Sequence, residues 1–149
     1  MFMGEYAHAI DDKGRTSLPA RFRDVLASSG DVRLVVTPAL GDPCLDVYPM
    51  RAWEELEAKL AGLNAFDPQV IEFRRFYVSA AAECELDKQG RILVPPSLRT
   101  HAELEKAVMW LGHGQKAELW SKERWAGLAR EKTATELRDL RAAMGRLGL

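Results

Sequence analysis

The apolar and polar positions of this chain fall into two long passages with the same rhythm. Each opens on an alternating stretch, AHAID at 7–11 and AAECELD at 81–87. Period-two alternation predicts a strand with one buried face. Gly14 or Gly90 then punctuates a turn, where a positive φ carries no steric cost. A second strand follows, RTSLP at 15–19 or RILVP at 91–95, ended by a proline that cannot continue a central ladder. After Pro19, ARFRDVLAS has helical spacing at Phe22, Val25 and Leu26. After Pro95, PSLRTHAEL repeats it with Leu98 and Leu104, and Ser97 is placed to help start the helix. Next come an apolar strand, VRLVVTPAL or KAVMWLG, and its hairpin partner, CLDVYP or KAELWS. A helix then begins with Pro49 or Ser121 near its first turn.

Two further segments stand outside this rhythm. FDPQVIEFRRFYVSA at 66–80 predicts a helix opened by Asp67 and Pro68, with Val70, Phe73, Phe76 and Tyr77 on one face. Near the end, Leu137, Leu140, Met144 and Leu147 fall at helical steps. That stripe is expected to pack on its own half, a seam with a neighbouring subunit being the alternative.

Aligning Gly14 with Gly90 sets an offset of 76 residues, at which Asp11 meets Asp87, Arg15 meets Arg91, Pro19 meets Pro95 and Arg23 meets Arg99. After a length change of four residues, Tyr48 meets Trp120 and Trp53 meets Trp125. Two similar halves are the economical reading. The expected organisation is a first unit at 1–63, a connecting helix at 64–80, a second unit at 81–128 and a helical extension at 129–149.

The chain has 149 residues, 47% of them apolar and 29% charged, with a formal net charge of −1. There is enough apolar material for a core, and no global basic excess. Any polyanion would have to meet a local patch. Residues 11–23 set Lys13, Arg15, Arg21 and Arg23 against Asp11 and Asp12, for +2; residues 87–99 set Lys88, Arg91 and Arg99 against Asp87, again +2. Residues 51–67 carry −2, so charge is segregated as a nucleic-acid surface requires. The apolar runs are far shorter than the roughly 20 residues of a membrane helix, and MFMGEYAHAI lacks the basic start of a signal peptide. A cytoplasmic location is expected, with Cys44 and Cys84 as small buried hydrophobes rather than a disulfide framework or zinc site.

The stretches FMGEYAHAIDDKGRTSLPARFR and LDKQGRILVPPSLR, with Asp11-x-x-x-Arg15 and Asp87-x-x-x-Arg91, resemble the paired signatures of the MraZ family. The likeness runs from about Met1 to Trp125. It implies a bacterial transcriptional regulator of the AbrB-like swapped-hairpin group: an α+β, mainly β chain in which two tandem units form one double-split β-barrel with flanking helices. It further implies homo-oligomeric rings, association with the nucleoid, and binding to short direct repeats of double-stranded DNA in the promoter of the division and cell-wall gene cluster, which includes the regulator's own gene. Nothing carries over to the terminal helix.

The chemistry of the candidate residues fits such a role. A stiff hairpin tip holding Lys13 and Arg15, echoed by Lys88 and Arg91, can place cations on phosphates and fork one guanidinium onto a guanine edge. Asp11 and Asp87, with Gly14 and Gly90, are expected to be structural, each acid steadying its tip by pairing with the arginine four residues on. Arg23 and Arg99 lie in predicted helices, where pairing with acids competes with DNA contact. Gln89 stands where the first copy has Lys13, so the first tip is expected to be the better reader. His8, His101 and His113 lack a ligand spacing, and neither a Walker loop nor a G-x-G-x-x-G fingerprint occurs. No enzyme activity, metal, cofactor, small-molecule substrate or membrane partner is therefore expected. The alternatives are an AbrB-like antitoxin-type protein, against which the duplication argues, and a structural oligomer without DNA activity.

Overall fold

The computed structural model describes residues 1–149. In chain order the elements are β1 (Glu5–Ala9), β2 (Arg15–Ser17), α1 (Ala20–Ser29), β3 (Arg33–Pro38), β4 (Cys44–Pro49) and α2 (Met50–Ala61). A connector follows, α3 (Pro68–Phe73), running into a π-helical turn at Arg74–Val78. The first order then recurs as β5 (Ala82–Glu85), β6 (Arg91–Leu93), α4 (Pro96–Ala102), β7 (Ala107–His113), β8 (Lys116–Ser121) and α5 (Lys122–Glu131), and α6 (Ala134–Arg146) ends the chain. Helices and antiparallel sheet thus make up the fold.

The halves exchange strands. The larger sheet has the order β1-β7-β8-β4-β3-β5, and β2 pairs with β6 in a separate ribbon. The first strand of each half therefore lies beside the apolar hairpin of the other half: Tyr6 opposite Trp110 in one case, Leu34 opposite Cys84 in the other. At the centre, β4 meets β8 with Leu45 opposite Leu119. The larger sheet ends at β1 and β5, so no closed ring of hydrogen-bonded strands is present; an isolated bridge from Ile10 to Thr16 links the end of β1 to β2.

This exchange explains the apolar pattern. One core cluster of 19 buried residues draws on both halves, including Leu18, Phe22, Leu34 and Val36 from the first and Ile92, Val94, Leu98 and Trp110 from the second. Phe22 is its hub, meeting Phe2, Tyr6 and Trp110 edge-on with ring centroids 4.9, 5.4 and 6.2 Å away. Phe2 is thus a core residue, whereas Met3 is exposed. On the other face of β3, Val35 packs with Trp53 and Tyr77. Burial on both faces is why VRLVVT reads as a continuous apolar run rather than an alternation.

The connector is tied down by a polar network at the sheet. The Tyr77 hydroxyl donates to Asp46 Oδ2 at 2.5 Å and accepts from Tyr48 at 2.6 Å. Lys116 Nζ donates to Asp46 Oδ1 at 2.7 Å, and Thr37 Oγ1 donates to the Tyr77 carbonyl at 2.6 Å. Burial, reinforced by the bond to Asp46, pushes the Tyr77 phenol well above its ordinary range. Both thiols are free and buried, and burial pushes Cys84 up to about 11.

Three local expectations are corrected. Phe76 is 60% exposed, because the π-helical turn adds a residue to the repeat. It brings Tyr77 beneath Phe73, ring centroids 4.8 Å apart, and swings Phe76 outward. Ser97 makes no cap: α4 starts from extended Pro95, and the helix stops at Ala102 with Glu103 in a left-handed conformation. The stripe on α6 does not pack on its own half. Leu137, Leu140 and Leu147 are exposed, and α6 is a separate helix, started after Lys132 by a capping box of Thr133 and Glu136. No helix is long and apolar enough to cross a membrane.

Candidate nucleic-acid interface

Each D-x-x-x-R element folds on itself around its aspartate. At the first tip, Asp11 Oδ1 accepts the backbone N–H of Lys13 at 3.0 Å and of Arg15 at 2.8 Å, while Oδ2 accepts Arg15 Nε at 2.7 Å. The backbone closes beneath it, Asp11 N–H to the Arg15 carbonyl at 2.9 Å and Gly14 N–H to the Asp11 carbonyl at 2.9 Å. Gly14 supplies the left-handed residue that such a turn needs, at φ 93°. The second tip repeats the scheme: Asp87 Oδ1 takes Gln89 and Arg91 N–H at 2.9 Å each, Oδ2 takes Arg91 Nε at 2.9 Å, and Gly90 sits at φ 75°. The backbone N–H groups of Arg15 and Arg91, with help from their guanidinium groups, hold the Asp11 and Asp87 carboxyls below the usual aspartate range.

The aspartates grip their arginines by Nε alone. The two tips then differ. Arg15 makes no further bond within the chain, whereas Arg91 Nη2 donates to Gln89 Oε1 at 2.7 Å.

The ribbon places these groups on one surface. Arg15 lies opposite Leu93, Thr16 opposite Ile92 and Ser17 opposite Arg91. Side chains alternate across a strand and cross-strand partners share a face. Thr16 and Ile92 point into the core, each 1% exposed. Arg15, Ser17, Arg91 and Leu93 therefore form the outer face, with the two arginines two ladder positions apart, about 7 Å along the strand.

Arg23 and Arg99 pair with no acid. Each helix arginine instead crosses to the glycine turn of the opposite half. A Cβ built on Gly14 would stand 2.7 Å from Arg99 Nε, and one on Gly90 would stand 2.7 Å from Arg23 Cδ. The same turns receive backbone bonds across the halves, Val94 N–H to the Gly14 carbonyl at 2.8 Å and Leu18 N–H to the Gly90 carbonyl at 2.9 Å. Arg99 Nε is buried without a hydrogen-bond partner. Lys13, Lys88 and Arg21 are exposed and form no ion pair.

The structure thus gathers Lys13, Arg15 and Arg99 at one tip and Lys88, Arg91 and Arg23 at the other; Arg21 lies apart on the exposed side of α1. The sequence placed Arg23 and Arg99 in helices, with pairing to acids as the competitor to DNA contact; the structure gives them no acid and lays each over the opposite turn. Sequence reasoning also passed over Leu93, 57% exposed at one end of the ribbon. The available signal was positional: Leu93 aligns with Ser17 and follows Ile92, whose inward direction sends its neighbour outward.

A family model described as "MraZ protein, putative antitoxin-like" matches the chain twice, at residues 1–76 and 77–146. Among curated proteins, the chain is 52% identical over 126 residues to a transcriptional regulator MraZ of Heliobacterium modesticaldum, covering 85% of each chain. It is 50% identical over 131 residues to that of Moorella thermoacetica, covering 88% of each, and 46% identical over 149 residues to that of Halothermothrix orenii, covering 100% of each. Two matches of one family model, and near-half identity along nearly the whole length of several relatives, place this chain in the MraZ family.

Proposed function

We propose that the chain is a sequence-specific DNA-binding transcriptional regulator, without enzymatic activity, acting in the cytoplasm at the nucleoid. The observation that carries this reading is the outward face of the β2–β6 ribbon. A two-stranded ribbon fits the B-DNA major groove, and this one presents two part-exposed arginines whose Nε atoms are fixed by aspartates. Lys13, Lys88, Arg21, Arg23 and Arg99 supply further positive charge for phosphates, while Asp11, Gly14, Asp87 and Gly90 hold the tips in shape. In this reading residues 1–63 and 81–128 are two AbrB-like units joined by 64–80 that together build a double-split barrel, split where the larger sheet and the β2–β6 ribbon part, with 129–149 as an extension.

The DNA target is short direct repeats in the promoter of the division and cell-wall gene cluster, bound by a ring-shaped homo-oligomer. Tips that carry +1 (Lys13, Arg15 and Arg99 against Asp11 and Asp12) and +2 (Lys88, Arg91 and Arg23 against Asp87) hold DNA weakly at physiological salt, because counterions compete for each phosphate. Several tips engaging successive repeats gain through effective concentration. The test is a gel shift with purified protein on the DNA upstream of its own gene, carrying one, two or three repeats, over a salt series. Affinity is expected to climb with repeat number and to fall for Arg15→Ala while oligomer size is kept. Equal affinity on all three duplexes would sink the multivalent arrangement, and no shift at low salt would sink DNA binding.

A further inference from the structure

The two tips are built on one plan but do not offer the same chemistry, and the difference lies on the face that would meet DNA. Arg15 is held at Nε by Asp11, and both Nη groups are free. That leaves the end-on fork that matches guanine O6 and N7. Arg91 is held twice, at Nε by Asp87 and at Nη2 by Gln89, so one prong of its fork is already engaged. Gln89 occupies the position that Lys13 holds in the first copy; lysine is a donor with no acceptor atom and cannot cap an arginine in this way. The ladder partners differ in the same sense. Opposite Arg15 stands Leu93, an apolar side chain 57% exposed, and opposite Arg91 stands Ser17. An exposed leucine beside a free guanidinium has the chemistry to meet a thymine methyl next to a guanine, whereas a serine beside a capped guanidinium suits a phosphate oxygen.

We infer that the ribbon is polar in function. The Arg15–Leu93 end reads bases, with Leu93 a specificity-determining residue for a thymine methyl. The Arg91–Ser17 end, with Gln89 holding Arg91 in place, anchors a phosphate irrespective of sequence. This rests on the DNA-binding reading above and assigns the two ends of its site different ligands. Lys13 and Arg99 border Leu93 in one shallow depression that Glu83 and Glu85 also line, so the charge around the reading end is mixed.

The test uses the full chain. Duplexes enriched by the wild-type protein from a random-sequence pool supply the specific probe, and a scrambled duplex of equal length supplies the non-specific one; both are titrated over a salt series. Arg15→Lys keeps the charge but loses the fork, and is expected to lower the specific-to-non-specific affinity ratio tenfold or more with the salt slope unchanged. Arg91→Lys keeps the charge but loses the Asp87 and Gln89 bonds that position it, and is expected to weaken binding to both duplexes alike, so that the ratio stays within error. Arg91→Ala should weaken binding to the two duplexes equally and reduce the slope by about one. Replacing thymines by uracil one at a time in the enriched site should weaken wild-type binding severalfold at one position and leave Leu93→Ser unaffected there. Thermal midpoint and oligomer size of each variant identify any that fail to fold. Because the thymine-to-uracil change is made in the DNA, the wild-type protein still tests the methyl contact in that event. Equal loss of ratio in Arg15→Lys and Arg91→Lys, or indifference of the wild type to every thymine methyl, overturns the inference. Failure of the wild type to enrich any sequence overturns the DNA reading itself.

Discussion

Arg99 of α4 lies across Gly14 at the tip of the other half, so close that a methyl group there would stand 2.7 Å from its Nε. Arg23 of α1 does the same over Gly90. Each turn is thus braced by a long side chain from the opposite half, and the two halves hold one another's tips in place.

Gly14→Ala and Gly90→Ala both place a side chain at a positive φ, a strain of about 1–3 kcal/mol. Gly14 has the harsher surroundings, because its Cβ would also meet the Val94 carbonyl oxygen at 2.8 Å, which is backbone and cannot swing away. At Gly90 the nearest atoms all belong to the Arg23 side chain. Denaturant midpoints should therefore drop further for Gly14→Ala. Adding Arg23→Ala should restore part of the Gly90→Ala loss, while adding Arg99→Ala should restore little at Gly14.

Phe22→Ala should be among the costliest core changes, about 3–5 kcal/mol, since it empties the meeting point of Phe2, Tyr6 and Trp110. Urea unfolding should show one cooperative transition at a lower midpoint. Loss of the Phe2 and β1 contacts alone, with β7 still packed, would give two transitions and contradict a shared core.

Asp11 and Asp87 have folded-state pKa values below the unfolded value of about 3.9. Their contribution is therefore fully present above the unfolded value and disappears as pH falls through the folded one. The stability gap between wild type and the Asp11→Asn, Asp87→Asn double variant should be constant from pH 7 to pH 5 and narrow below about pH 4. Denaturant midpoints over this range measure it, and a gap that widens in acid would contradict the bonding described.

Tyr77→Phe removes the donor to Asp46 and the acceptor for Tyr48. Asp46 is 4% exposed and would keep only its pair with Lys116, at a cost of about 1–3 kcal/mol. Hydrogen exchange at Val78 and Ser79, at the end of the connector, should accelerate along with the loss of stability.

Truncation after Lys132 removes α6, whose leucines are exposed. The unfolding midpoint at low protein concentration should move by less than about 0.5 kcal/mol equivalent. A larger drop would mean that the helix is covered by something other than this chain.

Much of the local structure was legible in the residues because it rests on short-range physics. Period-two alternation, glycine at a turn, proline at a strand end and an acid four residues before an arginine are all decided within a few residues of one another. The same holds for the repeat, since equal local patterns at an offset of 76 produce equal elements. Partner choice is not of this kind. The alternation within β1 does not name its partner; β1 pairs with β7 and β5 with β3, and both halves bury their apolar faces in one core. That exchange sends Arg23 and Arg99 to the opposite tips and sets Leu93 beside Arg15. Sequence determines the tips as local objects; tertiary packing determines which residues surround them, because long-range burial obeys the shape of the whole core and not the order of the chain.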